Sequence, residues 1–385
     1  MKIARVIPNF YPYITGPANQ AYRISLELER AGIRSPIYTS NYRAEKSPAF
    51  EIMDGVKVKR FPVRGEFLQY MFTPQMVPQL IKIRPNIIHA HAYRSFQSDI
   101  SYFISKMRNI PFVVSTHGSA LGYETIIKKK HLKLPYLFYD TFTMKSVLTH
   151  ANYVIASTKQ EFDELVRFGV ERDKMRIIPV GVDLIKYDVM ERNSDKEFFR
   201  ILFVGRITKD RNLELLLDAF DMVTEKRDDV RLTIVGGEER RTFTDKLGHL
   251  AALKRKVINM GISDKVEFTD PLYGNDLIRA YKSADIFVYT SLYENFGQTI
   301  LEAATADLPI ISTRVGVAND LIIDNKTGFH TSFSDPVELS EKILTLLYDE
   351  NLRTRFSKNV RRLVEKEYRW DKIIGKYLTI YTNLL

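Results

Sequence analysis

Two glutamates, Glu294 and Glu302, stand eight positions apart in the segment SLYENFGQTILEA, residues 291–303. The segment follows the apolar run ADIFVYTS, which is typical of a buried strand, and its second half is typical of a helix. We predict that Glu294 lies in the connecting loop and that the helix begins between Asn295 and Gly297. Because helical side chains tilt toward the N-terminus, Glu302 can lean back toward the same loop.

The start of this helix is also a candidate anion-binding site. The first amides of a helix lack partners within it and lie at its positive end, and Gly297 would let a ligand approach the backbone closely. Carboxylates repel phosphate, so the two glutamates suit hydroxyl groups, such as those of a ribose and a hexose. The spacing alone equally fits one glutamate that favours the helix dipole and one surface glutamate. The amides concerned belong to Phe296, Gly297, Gln298 and Thr299.

Two arginines follow another apolar run, RILFVG. Arg206 comes directly after this run, and Arg211 lies in the same predicted loop. Two cations at one strand end can clamp a diphosphate, and each charge-assisted hydrogen bond contributes roughly 1.5–3 kcal/mol. The alternative is a basic loop that is simply solvated.

The first half of the chain offers polar residues at three further strand ends. His117 follows the run VVST, and Gly16 lies in a loop between the first strand and a helix, where a phosphate could bind. A lone histidine is also common as a structural residue. His89 and His91 lie on one side of a strand, but no carboxylate or cysteine stands at a matching spacing, so we predict no metal there.

Length and patterning predict the architecture that positions these residues. The chain of 385 residues exceeds a typical single domain, and short apolar runs alternate with amphipathic stretches throughout, which predicts parallel sheets covered by helices. The polar segment 183–200 reads as a linker. We therefore predict an α/β protein with two doubly wound domains, residues 1–184 and 185–369, and a C-terminal helix, residues 370–385, that could pack on either of them.

Composition narrows the location of the protein. No apolar run approaches the roughly 18 residues that a membrane span requires, the first apolar stretch is too short for a signal peptide, and the chain has no cysteine. We expect a cytoplasmic protein.

The net charge of +10 favours an anionic partner or a solvated basic surface. Residues 123–146 combine lysines with aromatic residues and could rest on an anionic membrane surface, although an exposed basic helix is an equal alternative. Nucleic acid is not expected, because the basic residues are dispersed and no recognised module is present. The lysines of the segment are Lys128, Lys129, Lys130 and Lys133.

Several motifs, in their order and spacing, resemble the family-four retaining glycosyltransferases. They are THG, VGR followed by a second arginine, VGG, AYKSADIFVYTSLYENFGQTILEAATADLPIISTRVGVANDLI and NKTGF. The resemblance extends over nearly the whole chain and is most specific over residues 280–328. It implies the GT-B fold, in which two Rossmann-like doubly wound domains face a central cleft.

The resemblance also implies a role for each candidate. Glu294 would meet the hydroxyls of the donor sugar and Glu302 those of the ribose, while the backbone from Phe296 to Thr299 cradles sugar and phosphate. His117 would touch the transferred sugar from the acceptor side, and Gly16 would face phosphate. The residues with implied catalytic roles are His117, Glu294, Arg206 and Arg211.

Four positions depart from the family pattern. Arg211 stands where a lysine is usual as the second diphosphate clamp, which changes reach and hydration. Gly16 is followed by proline instead of a second glycine, and Val180 replaces an asparagine. Asp270 replaces a glycine near the expected nucleotide base, so the base stays open between UDP-linked and GDP-linked donors.

The implied reaction is transfer of a hexose from a nucleotide-diphosphate sugar to a hydroxyl of a glycan or lipid-linked acceptor. The chain contains no Asp-x-Asp motif, so we expect neither a metal nor a cofactor, and the resemblance implies front-face transfer with a retained anomeric configuration. Two other readings are a sugar-nucleotide epimerase of similar form and a sugar-nucleotide-binding protein without catalysis. The altered loops at Gly16 and Arg211 are the reason to keep the second.

Overall fold

The chain folds into two compact units in the computed structural model. The first unit contains residues 1–181 and 371–385, and the second contains residues 182–370. The boundary thus falls after residue 181, where the sequence predicted it after residue 184. The residues described are 1–13, 15–67, 70–118, 137–190, 197–238 and 247–385.

An eight-stranded sheet forms the centre of the first unit, in the order β10-β9-β8-β7-β1-β2-β4-β3. All neighbouring strands are parallel except the pair β3 and β4. The apolar runs KIARVIP, NIIHAHA, PFVVSTHG and ANYVIAS predict strands and are confirmed as β1, β7, β8 and β9. Strands β5 and β6 form a separate hairpin. The strands are β1 (Ile3–Ile7), β2 (Ile37–Ser40), β3 (Phe50–Met53), β4 (Val56–Phe61), β5 (Gly65–Phe67), β6 (Tyr70–Phe72), β7 (Ile87–His91), β8 (Phe112–Ser115), β9 (Tyr153–Ala156) and β10 (Met175–Ile177).

Helices cover this sheet, and the first of them begins as its sequence predicts. The hydroxyl of Thr15 accepts a hydrogen bond from the amide of Ala18 at 3.2 Å, with Pro17 in the first turn. The helix ends before Gly32, whose φ of +77° few other residues adopt. The helices are α1 (Gly16–Arg30), α2 (Met76–Lys82), α3 (Phe96–Arg108), α4 (Lys145–Thr149), which continues a π turn over Asp140–Met144, and α5 (Lys159–Phe168).

The second unit is built on a six-stranded, wholly parallel sheet in the order β13-β12-β11-β14-β15-β16. Five apolar runs of this half predict strands and are confirmed as β11 to β15: RILFVG, VRLTIVGG, KVEFTD, ADIFVYTS and LPIISTRVG. The strands are β11 (Phe199–Val204), β12 (Val230–Val235), β13 (Val266–Thr269), β14 (Ile286–Tyr289), β15 (Ile310–Ser312) and β16 (Gly328–His330).

The starts of two helices in the second unit are informative. Asn212 directly precedes α7, where an asparagine side chain commonly caps a helix, but here it donates to the carbonyl of Phe333 at 2.9 Å instead. The helix of the two-glutamate segment, α10, begins at Gln298, just after the predicted range. The helices are α6 (Leu184–Asp188), α7 (Leu213–Thr224), α8 (His249–Met260), α9 (Gly274–Ser283), α10 (Gln298–Thr305), α11 (Ala318–Leu321), α12 (Pro336–Tyr348) and α13 (Glu350–Glu367).

The last helix, α14 (Trp370–Thr382), returns to the first unit. Its tyrosines Tyr377 and Tyr381 are buried, and their hydroxyls accept hydrogen bonds from Gln20 and Arg5 at 3.5 and 3.3 Å. None of the helices in the described ranges is long and apolar enough to cross a membrane.

The strand order reverses once in each sheet, between β1 and β7 in the first unit and between β11 and β14 in the second. In doubly wound sheets, ligands bind beyond the carboxyl ends of the strands at such a reversal, because the adjoining loops diverge there. The ends of β1, β7, β8, β11 and β14 are therefore where a site is expected, and they are followed by the candidate residues.

Candidate functional site

Glu294 lies beyond the end of β14 and forms a buried ion pair with Arg211. Nη2 of Arg211 is 3.1 Å from Oε2 of the glutamate. Its Nη1 donates to the hydroxyl of Ser291 at 2.9 Å and to the carbonyl of Tyr293 at 3.1 Å, and it also pairs with Asp210. Only 7% of Arg211 is exposed. The alternative reading, a solvated basic loop, therefore does not hold for Arg211, which is a buried cation that holds Glu294.

Two further donors fix the Glu294 carboxylate. The hydroxyl of Tyr289 donates to Oε2 at 2.7 Å, and the amide of Asn295 donates to Oε1 at 3.1 Å. Burial, together with the charge of Glu294, raises the pKa of Tyr289, so the phenol keeps its proton. The side-chain oxygens of Glu294 are thus held in place by three neighbours.

Glu302 lies in α10 in a less polar setting. The hydroxyl of Tyr281, from α9, donates to its Oε2 at 3.0 Å. Burial raises the pKa of the Glu302 carboxyl to about 7, although hydrogen bonds from Tyr281 and Gln298 act in the opposite direction. The two glutamates of one segment therefore have different surroundings: Arg211 pairs with Glu294, whereas the uncharged Tyr281 donates to Glu302.

Gly297 separates the two glutamates and caps α10. Its φ is +87°, and an added Cβ would lie 3.0 Å from Cδ1 of Ile300 and 3.3 Å from Cγ of Glu294. The carbonyl of Gly297 accepts a hydrogen bond from the amide of Ile300 at 3.0 Å, which closes the first turn. A glycine is required here both by the backbone conformation and by the space. It holds Glu294 against the start of the helix.

The loop after β15 locks the residue before this glycine. The amide of Val317 donates to the carbonyl of Phe296 at 2.6 Å. At Gly316, where φ is +48°, an added Cβ would lie only 2.5 Å from that carbonyl oxygen. The backbone of Phe296, the first residue of the predicted cradle, is therefore held from outside the segment, which the sequence did not indicate.

Arg206 follows β11 and lies between two glycine-bearing loops. The amide of Ile207 donates to the carbonyl of Gly237 at 2.9 Å, and an added Cβ at Gly236 would lie 1.8 Å from the carbonyl oxygen of Gly205. This contact explains the glycine of the VGG motif. Arg206 is half-buried at the same carboxyl edge as Glu294.

His117 follows β8 in the first unit with a φ of +55°, which is rare for a residue with a side chain. Residues on both sides of it are held by one buried carboxylate: Oε1 of Glu161 accepts from the hydroxyl of Thr116 at 2.7 Å and from the amide of Gly118 at 2.8 Å. Sequence reasoning missed Glu161. Its spacing after Thr158 signals a helix start, not a contact with a distant loop.

The other histidines lie behind His117. The rings of His89 and His91 stack with their centroids 4.5 Å apart, and Nδ1 of His91 is 2.7 Å from Nε2 of His117. The nitrogens of His89 and His91 make hydrogen bonds within the protein, with Arg5 among the partners. Arg5, a basic residue inside an apolar strand, is the second residue that sequence reasoning missed.

The structure says less about the remaining candidates, Gly16 and the four lysines. Gly16 is the first residue of α1, beyond the end of β1, and an added Cβ there would meet no atom within 4 Å. Its glycine is therefore not required by neighbours in the protein. The four lysines of the predicted membrane segment, Lys128, Lys129, Lys130 and Lys133, lie outside the described residues.

Comparisons with known proteins agree with this architecture. Residues 14–186 match the family model described as Glycosyltransferase Family 4, and residues 188–363 match that described as Glycosyl transferases group 1. An uncharacterized glycosyltransferase of Methanocaldococcus jannaschii is 27% identical over 99% of this chain and 98% of its own. A D-inositol 3-phosphate glycosyltransferase of Xylanimonas cellulosilytica is 24% identical over 96% of this chain and 93% of its own.

Solved structures show the same fold at lower identity. Sucrose-phosphate synthase of Thermosynechococcus elongatus superimposes with a TM-score of 0.77 at 19% identity, covering 100% of this chain and 99% of that one. Anabaena HepE in complex with UDP also gives 0.77, at 16% identity over 100% of both chains.

The chain has two Rossmann-like domains, each built on a mostly parallel sheet with candidate residues at its carboxyl edge. This is the architecture of the GT-B class. The chain belongs to the family-four glycosyltransferases, and it is a glycosyltransferase.

Proposed function

We propose that this glycosyltransferase moves a hexose from a UDP-linked or GDP-linked donor to a hydroxyl of a glycan or lipid-linked acceptor, with retention of configuration. The observation that carries the proposal is the segment from Glu294 to Glu302 at the reversal of the second sheet. It combines a glutamate paired with a buried arginine, a glycine-capped helix start and a second carboxyl whose pKa lies near 7. HepE has been solved in complex with UDP and with UDP-glucose, which supports a nucleotide-sugar donor.

Each part of the segment suits one part of such a donor. A carboxylate accepts hydrogen bonds from vicinal hydroxyls, so Glu294 would hold the sugar and Glu302 the ribose. The amides at the start of α10 and the side chain of Arg206 would meet the diphosphate. Arg211, which pairs with Glu294, would add its positive charge to the site.

The proposed reaction breaks the bond between the anomeric carbon and the donor phosphate oxygen. The acceptor oxygen bonds to that carbon on the same face, and the acceptor proton passes to the leaving phosphate oxygen. No metal or cofactor takes part in the proposal: Arg206, Arg211 and the α10 amides stabilise the charge that develops on the leaving diphosphate. His117 would contact the transferred sugar.

We propose further that the first unit meets an anionic membrane surface, at the cytoplasmic face, to reach a lipid-linked acceptor. The described end of the lysine-containing segment, residues 137–146, supports this, because large apolar side chains there are exposed. They are Leu137, Phe138 and Phe142, with 53%, 69% and 67% of their surface exposed. The protein should co-sediment with anionic liposomes at low salt and not with neutral ones; no preference for anionic lipid would contradict this part of the proposal.

A donor screen in the presence of a chelator tests the main proposal. The protein is incubated with UDP-, GDP- and ADP-hexoses and a panel of hydroxyl acceptors, and the product anomer is read by NMR. We expect one donor base to support transfer with retention. An inverted linkage would rule out the front-face reaction, an altered sugar nucleotide without acceptor would indicate an epimerase, and binding without turnover would indicate a non-catalytic protein.

A further inference from the structure

Arg5 lies on β1 in the middle of the first sheet and is completely buried. Within the described ranges, no carboxylate lies at ion-pair distance from its guanidinium. All five of its N–H groups instead meet neutral acceptors. Nε donates to Ser25 Oγ at 2.9 Å, Nη1 to His91 Nε2 at 2.7 Å and His89 Nδ1 at 3.1 Å, and Nη2 to Tyr381 Oη at 3.3 Å and Ser35 Oγ at 3.4 Å.

This arrangement fixes the proton positions on the neighbouring histidines. An arginine can only donate hydrogen bonds, so Nε2 of His91 must accept and its proton must be on Nδ1. That Nδ1 lies 2.7 Å from Nε2 of His117, which must therefore accept in turn. A neutral His117 then carries its proton on Nδ1.

The hydrogen bonds from Arg5 to His89 and Tyr381 fix the proton positions of these two residues in the same way. Nδ1 of His89 accepts from Arg5 and from the hydroxyl of Tyr381, the latter at 2.6 Å. The proton of His89 is then on Nε2, which lies 2.8 Å from the hydroxyl of Ser115. Tyr381 accepts from Arg5 and donates to His89, so every bond in the cluster has one donor and one acceptor. Because Arg5 can only donate, it sets the donor and the acceptor in each of these hydrogen bonds.

The charge of Arg5 also opposes protonation of the histidines. Burial first, and then the Arg5 charge, lowers the pKa of His117 to about 3, and the pKa values of His89 and His91 are lowered as well. The other titratable groups that face the cluster are Tyr377 and Tyr381 of α14 and Glu161 of α5, which binds the residues on both sides of His117.

We infer that Arg5 is a positioning residue that keeps His117 neutral with its proton on Nδ1, so that His117 acts toward the transferred sugar as a hydrogen-bond donor and not as a base or an acid. The role of His117 toward the sugar rests on the proposed function. A neutral donor suits a sugar that develops positive charge as its bond to phosphate breaks, because an imidazolium there would oppose that charge. Neither the family motifs nor the site geometry of the second unit involves Arg5.

Nitrogen NMR of the full chain, labelled with ¹⁵N-histidine, tests the inference on the wild type. His91 and His117 are assigned by His91→Gln and His117→Gln. We expect both to show the Nδ1–H tautomer, with no titration between about pH 5 and pH 8. A proton on Nε2 of His117, or titration of His117 within that range, would overturn the inference.

Two variants separate the role of Arg5 from a general structural role. Arg5→Met removes the donors and should allow His117 to populate both tautomers, with kcat lowered about tenfold and the donor KM within about twofold of wild type. Tyr381→Phe removes another partner of Arg5 but should leave the tautomers of His91 and His117 unchanged. A folded Arg5→Met protein with the wild-type His117 spectrum would contradict the inference.

The two proposals can fail separately. If the protein shows the expected tautomers but transfers no sugar, the proposed function is ruled out and the Arg5 assignment stays in place. Sugar transfer by a protein whose His117 titrates near neutral pH would remove the Arg5 inference alone. If Arg5→Met does not fold, the wild-type spectra still decide.

Discussion

At the scale of single residues, the site depends on how differently two carboxyl groups of one segment are treated. Glu294 is held by a buried arginine, a phenol and a backbone amide. Glu302 is held by a phenol and an amide side chain, and burial raises its pKa to about 7. The environment, more than the residue type, therefore assigns the two roles.

The Arg211–Glu294 ion pair predicts a non-additive effect on stability. Arg211→Met leaves a buried carboxylate without its cation and should cost about 3–5 kcal/mol. Adding Glu294→Gln removes that charge, so the double variant should regain part of the loss. Calorimetric melting of the three variants measures this. Losses that simply add would show that the two side chains do not stabilise each other.

The pKa of Glu302 predicts how donor binding depends on pH. If the ribose requires the ionised carboxylate, binding must displace the proton that half of the free protein carries at pH 7. Affinity should therefore rise with pH and be about tenfold weaker at pH 6 than at pH 8. Titration calorimetry across this range measures it, with Glu302→Gln as the control that should bind weakly and show no such dependence. A flat wild-type profile would contradict the assignment of Glu302.

At the scale of elements, the site depends on close backbone contacts between loops that follow neighbouring strands. Gly236→Ala would place a Cβ 1.8 Å from the carbonyl oxygen of Gly205, so it should displace the Arg206 loop, lower the melting temperature and weaken nucleotide binding. Gly375→Ala is the matched control. This glycine lies in α14 with nothing within 4 Å of an added Cβ, and its replacement should stabilise the protein by roughly 0.5–1 kcal/mol. Similar effects of the two changes would contradict the contact.

The central strands could be predicted from sequence because they are buried on both faces and read as continuous apolar runs, as in β11 and β14. Three strands that are short or lie at a sheet edge could not. β3 alternates exposed with half-buried residues, and β10 and β16 have three residues each. Asn212 shows a further limit of prediction from sequence. Its residue type suits a helix cap, but its side chain donates to the carbonyl of the distant Phe333.

The candidate site was predictable where its residues are neighbours in the chain. Glu294, Gly297 and Glu302 belong to one segment, and their motif carries the family resemblance. Arg5 and Glu161 act through residues far away in sequence, since Arg5 and Tyr381 are 376 positions apart. No local pattern encodes such contacts, so only the folded chain shows that a buried arginine and a buried glutamate position His117.

At the scale of the whole molecule, the chain closes its first unit with its last helix. The hydroxyls of Tyr377 and Tyr381 complete hydrogen bonds of Gln20 and Arg5, which α1 and β1 contribute. Deleting residues 371–385 should therefore expose a charged arginine inside an apolar sheet and open the first unit. We expect hydrogen exchange to show lost protection in β1 and β7, with β11 and β14 unchanged. Unchanged protection in β1 would contradict this.

Calorimetric titration of the protein with UDP, GDP and ADP, in the presence of a chelator, tests the central claim that the segment from Glu294 to Glu302 holds a nucleotide sugar. The account predicts that one nucleotide binds the wild type and that Glu302→Ala weakens this binding by at least about tenfold. Glu341→Ala, an exposed change on α12, should bind as the wild type does. No binding of any of the three nucleotides, or equal binding by Glu302→Ala, would contradict the account.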